Sequence, residues 1–158
     1  MIKRVLLYVE DEESDAFLFK IAFRKIGVRD AFHHATDGED AIRYLSGLGR
    51  YANRELYPVP CLVLLDLNLP RKNGFEFLQW RQSHATARRI PVVIYTSSNN
   101  PKDIERAYEL GAAAYLIKLP GLEDWARRAG AIRDFWLEHN TPPPAVRPAA
   151  GDRPHVAV

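Results

Sequence analysis

Short apolar runs alternate along the chain with longer segments in which apolar residues recur every three or four positions. The runs are Val5–Val9, Ala31–Ala35, Leu62–Leu65, Val92–Tyr95 and Ala114–Ile117. They predict five strands, with helices between them. Leu62-Val63-Leu64-Leu65 and Val92-Val93-Ile94 show no polar alternation, which suits parallel strands covered by helices on both faces. The fold class expected is therefore α/β, a doubly wound parallel sheet. Helix ends are marked by small and turn-forming residues. Gly27 stops the first helix, Asp37-Gly38 opens the second, Gly74 precedes the third, Asn100-Pro101 begins the fourth and Gly111 closes it. The last helix is expected from Leu122 to about His139. The long connection from Gly47 to Pro60, with Tyr51, Tyr57 and Pro58, reads as an ordered surface loop. Residues 1–139 thus form one domain, and 140–158, with five prolines and few large apolar residues, form a tail without a core of its own.

The chain's 158 residues and 18.0 kDa leave room for one domain and a tail, too little for a two-domain enzyme. Twenty-two Lys and Arg against 20 Asp and Glu give a formal net charge of +2, so no strong field draws nucleic acid or a membrane surface. Lys3 and Arg4 precede only Val5–Val9 before acidic residues begin, too short a run for a signal peptide or a membrane span. The single cysteine, Cys61, cannot make an intrachain disulfide. It reads as a small buried hydrophobe, and a reducing, cytoplasmic setting fits. His33 and His34 read as half-buried residues of the second strand, far from any carboxylate cluster, and outside the site.

In a parallel doubly wound sheet, ligands sit beyond the carboxyl ends of the strands. The residues found there are Glu10-Asp11 after the first strand, Asp66 after the third, Thr96 after the fourth and Lys118 after the fifth. Each carboxylate pair near 4 Å costs about 4 kcal/mol at an effective dielectric near 20, so something positive must offset the cluster. A hard divalent ion does so, and carboxylates with a carbonyl and water suit Mg²⁺, with the Asn68 carbonyl turned toward it. One carboxylate can then act as nucleophile toward a phosphoryl group. Asp66 leads off the central strand and is the candidate, with Thr96 and Lys118 binding phosphoryl oxygens. Singly, each of these residues has a plainer reading. An acidic pair after a strand often caps the next helix, and a lone Asp is usually a turn residue. Their joint occurrence on one edge reverses those odds.

At these residues the sequence resembles the receiver domain of two-component response regulators, from Ile2 to about His139. The motifs are Val9-Glu10-Asp11-Glu12, Leu65-Asp66-Leu67-Asn68-Leu69-Pro70, Asn73-Gly74-Phe75-Glu76, Pro91 to Ser97 and Ala114-Tyr115-Leu116-Ile117-Lys118. The resemblance implies a flavodoxin-like strand order of 2-1-3-4-5. It implies that Asp66 accepts a phosphoryl group from a sensor histidine kinase, with Mg²⁺ held by Glu10, Asp11, Asp66 and the Asn68 carbonyl. Thr96 and Lys118 then follow the phosphoryl group while Tyr115 swings inward. Its chemistry would be its own phosphorylation and slow autodephosphorylation rather than enzyme turnover. Two positions depart from the family: Leu119 follows Lys118 where proline is usual, which implies a different loop there, and Glu10 stands where many members have aspartate. The long Tyr- and Pro-bearing loop and the lack of an output domain resemble the small receivers paired with phytochrome-type sensor kinases. No helix-turn-helix follows His139, which argues against direct contact with DNA.

Two other readings stay open. A haloacid-dehalogenase-like phosphatase would also use an aspartate nucleophile and Mg²⁺, but on its first strand and with an aspartate two residues on, where this chain has Asn68. A receiver-fold interaction module that never becomes phosphorylated is the other. The first helix is expected to bury Phe19, Ala22, Phe23 and Ile26 and to present Phe17 and Ile21 as a kinase-docking face. The last helix is expected to bury Trp125, Ala129, Ile132 and Trp136. That leaves Phe135 and Leu137 without intramolecular partners, so a homodimer through this helix and the tail is expected.

Overall fold

The computed structural model describes residues 4–28 and 31–144. Five strands, β1 (Leu6–Val9), β2 (Phe32–Ala35), β3 (Leu62–Leu65), β4 (Val92–Thr96) and β5 (Ala114–Ile117), alternate with α1 (Glu13–Lys25), α2 (Gly38–Ser46), α3 (Gly74–Gln82), α4 (Pro101–Glu109) and α5 (Leu122–Ile132). The strands form one sheet of order β2-β1-β3-β4-β5, and every pairing is parallel. The expected architecture and strand order are those observed. β4 runs one residue further than its apolar stretch suggested, which places Thr96 in the strand's last position.

Because side chains alternate across a strand, each strand feeds two cores. Leu6, Tyr8, Leu62, Leu64, Val93 and Tyr95 join Ala16, Phe19 and Phe23 of α1 and Trp125, Ala129 and Ile132 of α5. Leu7, Val9, Val63, Leu65, Val92 and Ile94 join Tyr44, Phe77, Leu78 and Ala107 on the other face. The connection from 47 to 60 is ordered: it makes a 3₁₀ turn at Gly49–Ala52 and buries Tyr51. Arg54 closes the end of α2 by donating to the Tyr44 and Leu45 carbonyls, each at 2.7 Å.

Three expectations about apolar residues on the first and last helices change. Phe17 is 62% exposed, but Ile21 is half-buried. Ile26 only lines the edge of the α1–α5 core. The last helix stops being an α-helix at Ile132 and continues as a π-helix, Arg133–His139. In this wider helix Leu137 packs half-buried, alongside Trp136, against the core that holds Ile132. Leu137 therefore has an intramolecular partner, whereas Phe135 is 53% exposed. Beyond the helix, Arg4 donates to the carbonyls of Leu137 and Asn140 and Arg89 to that of Pro144. The tail's part in a homodimer falls largely on residues 145–158, outside the described residues.

Candidate functional site

Ladder hydrogen bonds continue past the strand ends and fix the site residues relative to one another. Glu10 N–H donates to Ala35 O (3.0 Å), Asp66 N–H to Val9 O (3.1 Å) and Lys118 N–H to Thr96 O (2.7 Å). After Asp66 the chain must turn into α3 with little room: a Cβ on Gly74 would lie 2.5 Å from Asp66 O and 2.8 Å from Leu67 Cα. Asn73 and Glu76 close the start of α3 with a capping box. Arg71 takes a left-handed φ of 61° and pairs with the buried carboxylate of Asp37, which also caps α2. The turn carrying Asp66 is thereby tied to two helix starts.

Of the residues expected in the site, Glu10, Asp11, Asp66, Thr96 and Lys118 converge. Thr96 Oγ1 donates to Asp66 Oδ1 at 2.8 Å, and Asn68 N–H donates to the same oxygen at 3.2 Å. Lys118 Nζ donates to Glu10 Oε2 at 2.7 Å and Asp66 Oδ2 at 3.1 Å. Carboxylate oxygens of Glu10, Asp11 and Asp66 lie within 4.8 Å of one another. Glu10, Asp66 and Thr96 are buried, while Asp11 and Asn68 are exposed. Tyr115 is not brought onto the carboxylates: its hydroxyl donates to the Ser98 carbonyl at 2.9 Å, beyond β4. Leu119, exposed, leaves β5 through trans peptide bonds.

Three neighbours escaped the sequence reading. Asp15 accepts from Lys118 at 3.0 Å; its signal was a carboxylate four residues after Asp11, in the first turn of a helix. Tyr8, two residues before Glu10 and so on the same side of the strand, donates its hydroxyl to Glu10 Oε2 at 3.3 Å. Contrary to the expectation that it lies far from the acidic cluster, His34 sits beside it; its Nε2 donates to the Glu10 carbonyl at 2.6 Å. Parallel pairing of β2 with β1, Tyr8 opposite His34, carries the ring there.

Burial disfavours charge on Glu10, and its hydrogen bond and repulsion with Asp66 add to this. Lys118 only partly offsets them, and the carboxyl is pushed up to about 8. Asp66 is also penalised by burial, but hydrogen bonds with Glu10, Thr96 and Lys118 and the lysine's charge outweigh it and hold its carboxyl below the usual range. Lys118 is penalised by partial burial, yet the charges of Asp66 and Glu10 raise it above an ordinary lysine. The same surroundings thus favour the neutral form of Glu10 and the charged form of Asp66. The donor set is all oxygen, dense in negative charge and open on the Asp11 side, which fits a hard divalent ion.

Fold and site together define a doubly wound α/β protein with an acidic, lysine-bearing divalent-cation site at the carboxyl edge of its sheet. The chain belongs to the response regulator receiver domain family, whose model matches residues 6–127. It is 37% identical over 142 residues to response regulator Rcp1 of Synechocystis sp., covering 90% of this chain and 95% of that one. Its structure superposes on the phosphorylated cyanobacterial phytochrome response regulator RcpA with a TM-score of 0.82, at 36% identity and covering 90% and 100% of the two chains. The Mn²⁺-bound form of response regulator Rcp1 gives a TM-score of 0.79 at 37% identity, covering 89% and 99%. Membership of this family sets the phosphatase reading aside.

The elevated Glu10 carboxyl makes metal binding pH-dependent with a definite sign. Glu10 can bind a metal only as the carboxylate, so a divalent ion there must displace the proton that its raised carboxyl favours. Calorimetric titration with Mn²⁺ or Mg²⁺, in buffers of different ionisation enthalpy, is expected to show release of about one proton at neutral pH. Affinity should fall by up to about tenfold per pH unit between about pH 8 and about pH 6. Affinity that is flat across that range contradicts the assignment.

Proposed function

We propose that this protein is a single-domain response regulator that accepts a phosphoryl group from a sensor histidine kinase on Asp66, in a Mg²⁺-dependent phosphorelay. The observation that carries the reading is the convergence on one carboxylate: Asp66 lies within hydrogen-bond reach of Thr96 and Lys118 and within 4.8 Å of the Glu10 and Asp11 oxygens. An Asp66 oxygen attacks the phosphorus of the phosphohistidine, the P–N bond breaks, and the imidazole leaves. Thr96 Oγ1 and Lys118 Nζ already bond the carboxylate and need only follow its new oxygens, so little reorganisation opposes the step. Mg²⁺, held by Glu10, Asp11, Asp66 and the Asn68 carbonyl, would supply charge neutralisation of the transferring group. Tyr115 is the group placed to register the change, since it bonds the Ser98 carbonyl in the loop that follows Thr96.

The likeness to the cyanobacterial phytochrome response regulator RcpA supports a bacterial phytochrome as the kinase partner; the proposed setting is the cytoplasm. Among the described residues no helix is long and apolar enough to cross a membrane. Phe17, exposed on α1, with Ile21 half-buried one turn on, forms the proposed kinase-docking face. Phe135 with the tail forms the proposed homodimer contact, residues 1–139 being the receiver domain and 140–158 the arm.

Intact mass after incubation with Mg²⁺ and acetyl phosphate, and after incubation with the phosphorylated kinase, tests acceptor and docking face together. The wild type is expected to gain one phosphoryl group from either donor and Asp66→Asn none. Ile21→Glu should be labelled normally by acetyl phosphate but at least about tenfold more slowly by the kinase. Stoichiometric labelling of Asp66→Asn, or of no protein at all, overturns the acceptor assignment, and equal kinase rates overturn the face. For the dimer, light scattering at micromolar concentration should show twice the mass for the full chain and a monomer for a version ending at His139. A monomeric full chain contradicts it.

A further inference from the structure

An ammonium has three protons to donate, and Lys118 Nζ has three carboxylates around it: Glu10 at 2.7 Å, Asp15 at 3.0 Å and Asp66 at 3.1 Å. Two of these acceptors belong to the group whose oxygens can hold a cation; Asp15 does not. Asp15 stands in the first turn of α1, where the free N–H groups of a helix start favour a carboxylate. Its side chain is 30% exposed, against 0% for Glu10. Once a divalent ion engages Glu10 and Asp66, their charge is largely neutralised and their pull on the ammonium weakens, while that of Asp15 is unchanged. A lysine side chain carries considerable rotamer freedom, so an ammonium released by its two buried partners needs another anchor to stay aimed.

We propose that Asp15 is a positioning residue for Lys118. From α1 it holds the ammonium beside Asp66 when Glu10 and Asp66 are engaged by metal, and it keeps that hold as Lys118 exchanges its bond to Asp66 Oδ2 for one to a phosphoryl oxygen. The inference rests on Asp66 being the phosphoryl acceptor. Asp15 touches neither the metal nor the phosphoryl group; it acts through the lysine.

The test compares the full-length wild type, Asp15→Asn and Asp15→Ala in two titrations: Mg²⁺ alone, and beryllofluoride, a non-transferable phosphoryl mimic, at saturating Mg²⁺. Asp15→Ala is expected to bind beryllofluoride about tenfold more weakly, the scale of one charge-assisted hydrogen bond partly screened by solvent. Asp15→Asn, which keeps an acceptor oxygen but no charge, should fall between, and Mg²⁺ affinity should stay within about twofold in both. Unchanged or tighter beryllofluoride binding in Asp15→Ala overturns the inference, because Asp15 then either does nothing for Lys118 or competes for it. Equal losses in both titrations also overturn it, by placing Asp15 in the metal site or the fold. A wild type that binds Mg²⁺ but not beryllofluoride overturns the acceptor reading itself and this inference with it.

Discussion

The structure turns on the sharing of one ammonium by buried carboxylates. Glu10 and Asp66 lie side by side at the ends of adjacent strands with almost no solvent, an arrangement that would expel one of them if both were charged and unpaired. Lys118, from the far edge of the sheet, bonds both. The remaining imbalance appears as a raised Glu10 carboxyl. A site left short of positive charge is ready for a divalent ion, and a carboxylate flanked by that ion, a lysine and a hydroxyl is ready for a phosphoryl group. The proposed metal binding and phosphoryl acceptance thus rest on one shortfall of positive charge.

That geometry is affordable only on a rigid frame. Both faces of β1, β3 and β4 are packed, so the strand ends move little, and the ladder bonds at Glu10, Asp66 and Lys118 extend this rigidity into the site. The turn after Asp66 is braced where Gly74 admits no side chain and where Arg71 meets Asp37. On that side of the sheet Tyr8 of β1 bonds Glu10 and Asp15 of α1 bonds Lys118, so α1 serves both as a core helix and as a wall of the site.

Much of this was legible from residue order, because strands covered on both faces write themselves as unbroken apolar runs. Leu62–Leu65 and Ala114–Ile117 begin and end where their runs do, and the polar residues after the runs are the ones that converge. The strand order came with the family resemblance, since no periodicity distinguishes 2-1-3-4-5 from another parallel order. What stayed hidden depends on contacts between distant residues. Asp15 reaches Lys118 across 103 positions, and in isolation it is an ordinary acid in a helix's first turn. His34 reaches Glu10 only because β2 pairs with β1 in parallel register. Leu137 finds a core partner that a 3.6-residue period does not predict, because its stretch is a π-helix.

The most direct test is to remove the shared ammonium and measure the metal. In Lys118→Met, Mg²⁺ no longer competes with a cation already bonded to Glu10 and Asp66, so its affinity by calorimetry at neutral pH should rise severalfold, by about three- to tenfold. Lys118→Arg, which keeps the charge, should stay near the wild type. Weaker Mg²⁺ binding in Lys118→Met, with the fold intact by circular dichroism, would contradict the view that lysine and metal answer the same buried charge.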